Sequence, residues 1–155
     1  MGEYECKVDS KGRMRMPSDL LAQLPEGEEG GRQEFVINRG FEKCLIIYPK
    51  DAWERIVEEV DNLNIYDKTK RDFIRYFYRG AQRVELDSAD RILIKERLLK
   101  YAQIDKDVIL SALKDRVEVW DKENYERMLE EEPEEFSDLA QEVLGNASPG
   151  GNPLP

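Results

Sequence analysis

The chain has no histidine among its 155 residues. The commonest general base and the commonest metal ligand are therefore absent, and a serine or cysteine nucleophile lacks its usual partner. Most familiar hydrolytic machinery is excluded, and no catalytic residue, metal ligand or cofactor is assigned. Carboxylate pairs remain, but among 34 acidic residues any given pair is most simply solvated surface. Cysteine is scarce too. Cys6 and Cys44 are too few and too far apart for a disulfide framework or a zinc cluster, and read as idle thiols in a reducing cytosol. No apolar run approaches membrane-spanning length, and MGEYECKVDSKGR carries charge from its third residue with no apolar core. Neither a signal peptide nor a membrane span is expected.

What is abundant is charge. Charged residues make up 37% of the chain against 40% hydrophobic, enough apolar content for one compact domain or two very small ones. The net charge of -10 argues at first against a polyanion partner. Its distribution weakens that argument. Ten acidic and two basic residues lie from Asp121 onward, leaving 22 basic and 24 acidic before it. The body of the chain is nearly neutral, and a local basic face is compatible with it.

The sequence is internally duplicated. VDSKGRMRMPSDLL, from Val8, aligns with LDSADRILIKERLL, from Leu86, at an offset of 78 that matches Asp9 to Asp87, Ser10 to Ser88 and Arg13 to Arg91. A second block follows at an offset of 72, placing the aromatic pair Tyr48 and Trp53 over Trp120 and Tyr125. The six extra residues of the first half belong in the polar, glycine-rich stretch 26–33. Each unit reads as strand, turn, strand, short helix, strand, turn, strand, longer helix.

Local signals fill in this outline. The segment from Arg13 to Met16 alternates, as a half-buried strand does, whereas Arg91 is followed by the continuously apolar Ile92, Leu93 and Ile94, the pattern of a more deeply buried one. Pro17 ends the first strand, with Ser18 or Asp19 as the cap of a short helix. Residues 38–43 form a hairpin turn in which Gly40 can take a positive φ. A helix begins at Pro49 and Asp51 with Trp53, Ile56, Val57 and Val60 on one face. Phe73, Ile74, Phe77 and Tyr78 give residues 67–78 helical spacing, and the basic residues around them read first as solvated charge on a packing helix. A helix over 136–144 precedes a tail of disordered composition. The division is a first repeat at 1–61, a linking helix within 62–82, a second repeat at 83–128 and an acidic tail at 129–155.

Each repeat opens with Asp-x-x-x-Arg across a tight polar turn. The Asp can accept local backbone N–H groups, and the Arg offers a permanently charged planar fork suited to phosphate or to guanine edges in a major groove. A pair that merely holds the turn would look the same in sequence, although recurrence at the start of both halves favours a shared role. The first copy is richer in charge. Lys7, Lys11, Arg13 and Arg15 alternate in position, which places them mainly on one face if this stretch is strand. The second copy offers Arg91, so the first is expected to contribute more to any DNA contact.

With Tyr4, the run from Arg39 to Leu45, Tyr48, Pro49 and Trp53, the run from Phe77 to Ala81, and Val119 to Lys122, these motifs resemble the MraZ family over about residues 1–128. The resemblance implies an α+β, β-rich fold of two SpoVT/AbrB-like swapped-hairpin barrel halves with short helices. It implies a cytoplasmic, nucleoid-associated transcriptional regulator, forming a ring-shaped homo-oligomer on double-stranded DNA. The target implied is a set of repeated promoter elements ahead of the division and cell-wall gene cluster. Carried over, the family's DNA-facing turn falls on Asp9, Lys11, Gly12 and Arg13. The second turn departs from the pattern, with Asp90 where the family has glycine and Lys95 where it has proline. Asp90 adds negative charge beside Arg91 and is expected to disfavour a positive-φ turn. Those departures motivate a second reading, an oligomeric scaffold with the same fold and weakened DNA recognition. The residues leave open whether the hairpins close within one chain or swap between chains, but each half alone has too few strands to close a barrel, and the resemblance favours swapping.

Overall fold

The computed structural model describes residues 2–27, 33–131 and 136–145. Most of the glycine-rich insertion, residues 132–135 of the acidic tail and the terminal stretch expected to be disordered lie outside the described residues. The chain divides into two compact units, 1–124 and 125–155.

In the first unit the repeat order is found twice. The first copy runs β1 (Gly2–Lys7), β2 (Arg13–Arg15), α1 (Ser18–Gln23), β3 (Glu34–Arg39), β4 (Leu45–Pro49) and α2 (Lys50–Asp61). After α3 (Lys68–Arg79), the second runs β5 (Gln82–Glu85), β6 (Arg91–Leu93), α4 (Glu96–Tyr101), β7 (Asp107–Ala112) and β8 (Val117–Asp121), and α5 (Lys122–Glu130) continues into the second unit. That second unit also holds α6 (Phe136–Gly145), where helical spacing places a helix.

Among the described residues, the first unit has eight strands, all paired antiparallel. Six form one sheet in the order β1-β7-β8-β4-β3-β5, and β2 pairs with β6 in a separate two-stranded ribbon. This order is a two-fold pattern centred between β8 and β4. Each repeat donates its first strand to the other: β1 lies on β7 with Gly2 opposite Ala112, and β5 lies on β3 with Glu34 opposite Glu85. First-strand exchange therefore takes place here between the two halves of one chain, one of the two closures the residues left open. A tandem duplication supplies both partners covalently, so no second chain is needed to complete the strand pairing.

One face of the sheet is packed against the ribbon. Phe35, Ile37, Leu45, Ile47, Leu110 and Val119 meet Met14, Met16, Ile92 and Ile94, together with Leu20 of α1 and Leu98 of α4, all at most 2% exposed. On the opposite face Val36, Ile46, Tyr48 and Trp53 form a smaller cluster, with Ile56, Val57, Phe77 and Tyr78 packed on it. The Trp53 ring stacks on Phe77 at 5.5 Å between centroids and 11° between planes. The stripe of α2 therefore buries as its periodicity requires.

Three local expectations are corrected. No Ser18 or Asp19 side chain caps α1; Pro17 is the N-cap residue and those two occupy the first turn. Gly40 does not use the left-handed region. Its requirement is room, since a Cβ there would stand 2.5 Å from Cys44 Sγ. Finally, β6 is not buried on both sides: Ile92 and Ile94 are in the core, but Leu93 is 54% exposed. A continuous apolar run hides this alternation, because only the pairing partner decides which face is covered.

Candidate nucleic-acid interface

The two Asp-x-x-x-Arg turns are built alike. In the first, Asp9 Oδ1 accepts the backbone N–H groups of Lys11 and Arg13, and Oδ2 accepts Arg13 Nε, each at 2.9 Å. In the second, Asp87 Oδ1 accepts from Ala89 and Arg91, and Oδ2 accepts Arg91 Nε, again each at 2.9 Å. Backbone bonds close both turns the same way: Asp9 N donates to Arg13 O and Gly12 N to Asp9 O, while Asp87 N donates to Arg91 O and Asp90 N to Asp87 O. One carboxylate thus shapes the turn with one oxygen and aims an arginine with the other. The turn-holding role and the arginine-presenting role are the same arrangement.

Electrostatics follow from those bonds. The Arg13 backbone N–H holds the Asp9 carboxyl below the ordinary carboxylate range, aided by the Arg13 side chain and the Lys11 N–H. The Arg91 backbone N–H, the Ala89 N–H and the Arg91 side chain do the same for Asp87. Both carboxylates are ionised at neutral pH. An exposed pair of this kind adds little to stability, so its main effect is orientation. Among the described residues, the Nη groups of Arg13 and Arg91 make no hydrogen bond, and the two side chains are 34% and 32% exposed.

The second turn keeps its geometry in spite of its departures. Gly12 has φ +84, and a Cβ there would lie 2.7 Å from the Ile94 carbonyl oxygen. Asp90 stands at the matching position with φ +59, so the turn keeps its left-handed residue although a side chain stands where the first turn has glycine. Asp is one of the few side chains that tolerate this region. Lys95 adopts φ -63 and ψ 144, close to the -58 and 135 of Pro17. Its N–H, which a proline would lack, donates to Gln82 Oε1 at 3.2 Å. The turns also brace each other, since Ile94 N donates to Gly12 O and Met16 N to Asp90 O, both at 2.8 Å.

Pairing of β2 with β6 brings the two motifs onto one surface. The register sets Arg13 opposite Leu93, Met14 opposite Ile92 and Arg15 opposite Arg91. Met14 and Ile92 point into the core at 0% exposure, so Arg13, Arg15, Arg91 and Leu93 share the outward face. Neighbours along a strand on that face are about 7 Å apart, and residues directly opposite about 5 Å. Such a ribbon fits within a major groove about 12 Å wide.

The remaining predicted residues are placed differently. Lys11 is exposed in the turn itself. Lys7 ends β1 in the other sheet, where its register partner is Asp107. The stretch from Lys7 to Arg15 is thus broken by the turn, and its four cations do not form one alternating strand face; Arg13 and Arg15 do share a face. Leu93, which the run of apolar residues concealed, joins the surface, and Gln82 pins it from behind by bonding the Leu93 carbonyl at 3.0 Å and the Lys95 N–H. The offset of 78 already placed Leu93 at the position equivalent to Arg15. Among the described residues there is no metal-holding cluster of His, Cys, Asp or Glu, and no helix is long and apolar enough to cross a membrane.

Two α+β halves that exchange their first strands and join their arginine turns in one ribbon define a duplicated, mostly antiparallel α+β protein. Comparison with known proteins narrows this. The family described as "MraZ protein, putative antitoxin-like" matches residues 1–76 and again 77–146. The chain is 44% identical to "Transcriptional regulator MraZ" of Christiangramia forsetii over 147 residues, covering 94% of this chain and 93% of the relative. It is 40% identical to the protein of that name from Flavobacterium psychrophilum, with 96% and 93% covered, and 38% identical to that from Cytophaga hutchinsonii, with 92% and 93% covered. The chain belongs to the MraZ family.

Proposed function

We propose that this protein is a sequence-specific DNA-binding transcriptional regulator and not an enzyme, acting on repeated promoter elements ahead of the division and cell-wall gene cluster. The observation that carries the reading is the outward face of the β2–β6 ribbon, where Arg13, Arg15 and Arg91 stand together and two of the three are aimed by an Asp clamp. The relatives' name, transcriptional regulator, supports it. Asp9 and Asp87 set the turns, Gly12 admits the close approach of Ile94, and Lys11 and Lys7 add charge at the edges.

Three arginines on one protomer are a small head for a polyanion. Repetition around a homo-oligomeric ring lets weak contacts add by effective concentration, which reconciles binding with a net charge of -10. Exposed Phe41, Tyr66 and Tyr76, at 85%, 88% and 62%, supply apolar surface for such assembly. The protein then works in the cytoplasm, on the nucleoid.

Fluorescence anisotropy tests this with a duplex carrying the organism's own promoter ahead of that cluster and a scrambled control, in moderate salt. Tight, promoter-preferring binding that weakens steeply with ionic strength and is abolished by Arg13→Ala supports the reading. Equal binding to the scrambled duplex would replace it with the scaffold.

A further inference from the structure

The β2–β6 ribbon is close to two-fold symmetric, and the offset of 78 that relates Arg13 to Arg91 also relates Arg15 to Leu93. Its outward face therefore holds three arginines and one exception. Leu93 sits directly across from Arg13 and two residues along the strand from Arg91. It is 54% exposed, while its neighbours Ile92 and Ile94 fill the core at 0% and 2%. The fold asks only for the Leu93 backbone, whose carbonyl accepts from Gln82 Nε2, and any side chain would leave that bond intact. An apolar side chain is thus held in water among guanidinium groups, at the point where the symmetric position carries a cation.

Such a residue offers nothing to a phosphate. On the base edges of a major groove, the apolar feature is the thymine C5-methyl, which aliphatic side chains contact. We infer that Leu93 is a specificity-determining residue that packs on the C5-methyl of a thymine flanking the bases addressed by Arg13 and Arg91. The inference rests on the proposed reading of the ribbon as a DNA-binding head. Leu93 then turns a contact dominated by charge into one that distinguishes base pairs on the second repeat's side.

The test starts from a duplex selected out of a randomised pool by the wild-type protein. Each thymine is replaced in turn by deoxyuridine, which deletes only the methyl group, and binding of wild type, Leu93→Ala and Leu93→Met is followed by anisotropy at constant salt. At one position the uridine should weaken wild type about fourfold, the scale of burying one methyl-sized group. Leu93→Ala should bind the unmodified duplex about that much more weakly and be indifferent to the uridine, while Leu93→Met keeps the discrimination. A preferred sequence that no uridine weakens overturns the assignment of Leu93 and leaves the DNA-binding reading standing. A pool that yields no preferred sequence overturns both. A change in assembly mass of Leu93→Ala by light scattering would assign Leu93 to contacts between copies and likewise overturn the inference.

Discussion

Arg15 and Arg91 stand opposite one another in the β2–β6 ribbon, so two permanent positive charges occupy facing positions on one exposed surface. Like charges directly across a strand pair destabilise it by about 0.2–1 kcal/mol. A polyanion lying on that surface removes the penalty, which makes the pair more useful bound than free.

Arg15→Ala should therefore separate stability from binding. Relief of repulsion offsets the lost side chain, and unfolding free energy should stay within about 0.5 kcal/mol of wild type. Promoter affinity should fall about tenfold, with the log–log salt dependence shallower by about one counterion. Urea melts and a salt series of anisotropy titrations measure both; a large loss of stability with unchanged salt slope would make Arg15 a structural residue.

Asp90→Gly should strengthen DNA binding severalfold. It removes the only carboxylate of the second turn not engaged in clamping and relieves a left-handed residue at φ +59. The reciprocal change, Gly12→Ala, meets the Ile94 carbonyl at 2.7 Å with φ +84, and should cost about 1–3 kcal/mol. Weaker binding by Asp90→Gly would show that its charge does not oppose the arginines.

Asp9 and Asp87 have folded pKa values lowered from the model-peptide range by the backbone N–H groups of Arg13 and Arg91. A lowered folded value means the clamps stabilise above the unfolded pKa of about 3.9 and lose their contribution as pH falls through the folded values. Binding and stability should thus carry no titration of these two groups from pH 8 to 5, with a loss developing below about 4. Carboxyl carbon NMR should place both midpoints below 3.8. Asp9→Asn keeps an oxygen for the backbone but cannot accept Arg13 Nε on its amide nitrogen, and should cost more affinity than stability.

Burial pushes the Cys6 thiol to about 11 and the Cys44 thiol to about 12, the latter also raised by Glu118 and Glu42. Thiolate is scarce at neutral pH, so both should alkylate slowly in the native protein at pH 8 and rapidly in denaturant. Mass spectrometry of iodoacetamide-treated samples reads this directly; rapid native modification of Cys44 would contradict the closed Gly40 hairpin.

Duplication made much of the fold legible. Two copies of a strand, turn, strand, helix pattern specify the elements twice, and the Asp-x-x-x-Arg spacing marks each turn. What stayed hidden depends on long-range pairing. Nothing local in Ile92, Leu93 and Ile94 says which of the three faces water; that is decided by Met14, 78 residues away from Ile92, pairing with it and closing the core. Asp90 and Lys95 looked like defects because residue type was weighed without the dihedral angles they adopt. Gln82 carries no motif at all, and its two bonds behind the ribbon emerge only once β5 is placed beside β6.

The exchange of first strands also orders events in time. Gly2 finds its place only against Ala112, about 110 residues later in the chain. At a synthesis rate of about 5–20 residues per second, the amino terminus leaves the ribosome roughly 5–20 s before its partner strand exists. During that interval β1 is an unpaired edge, and the nascent first repeat can meet another nascent first repeat before it meets its own second half.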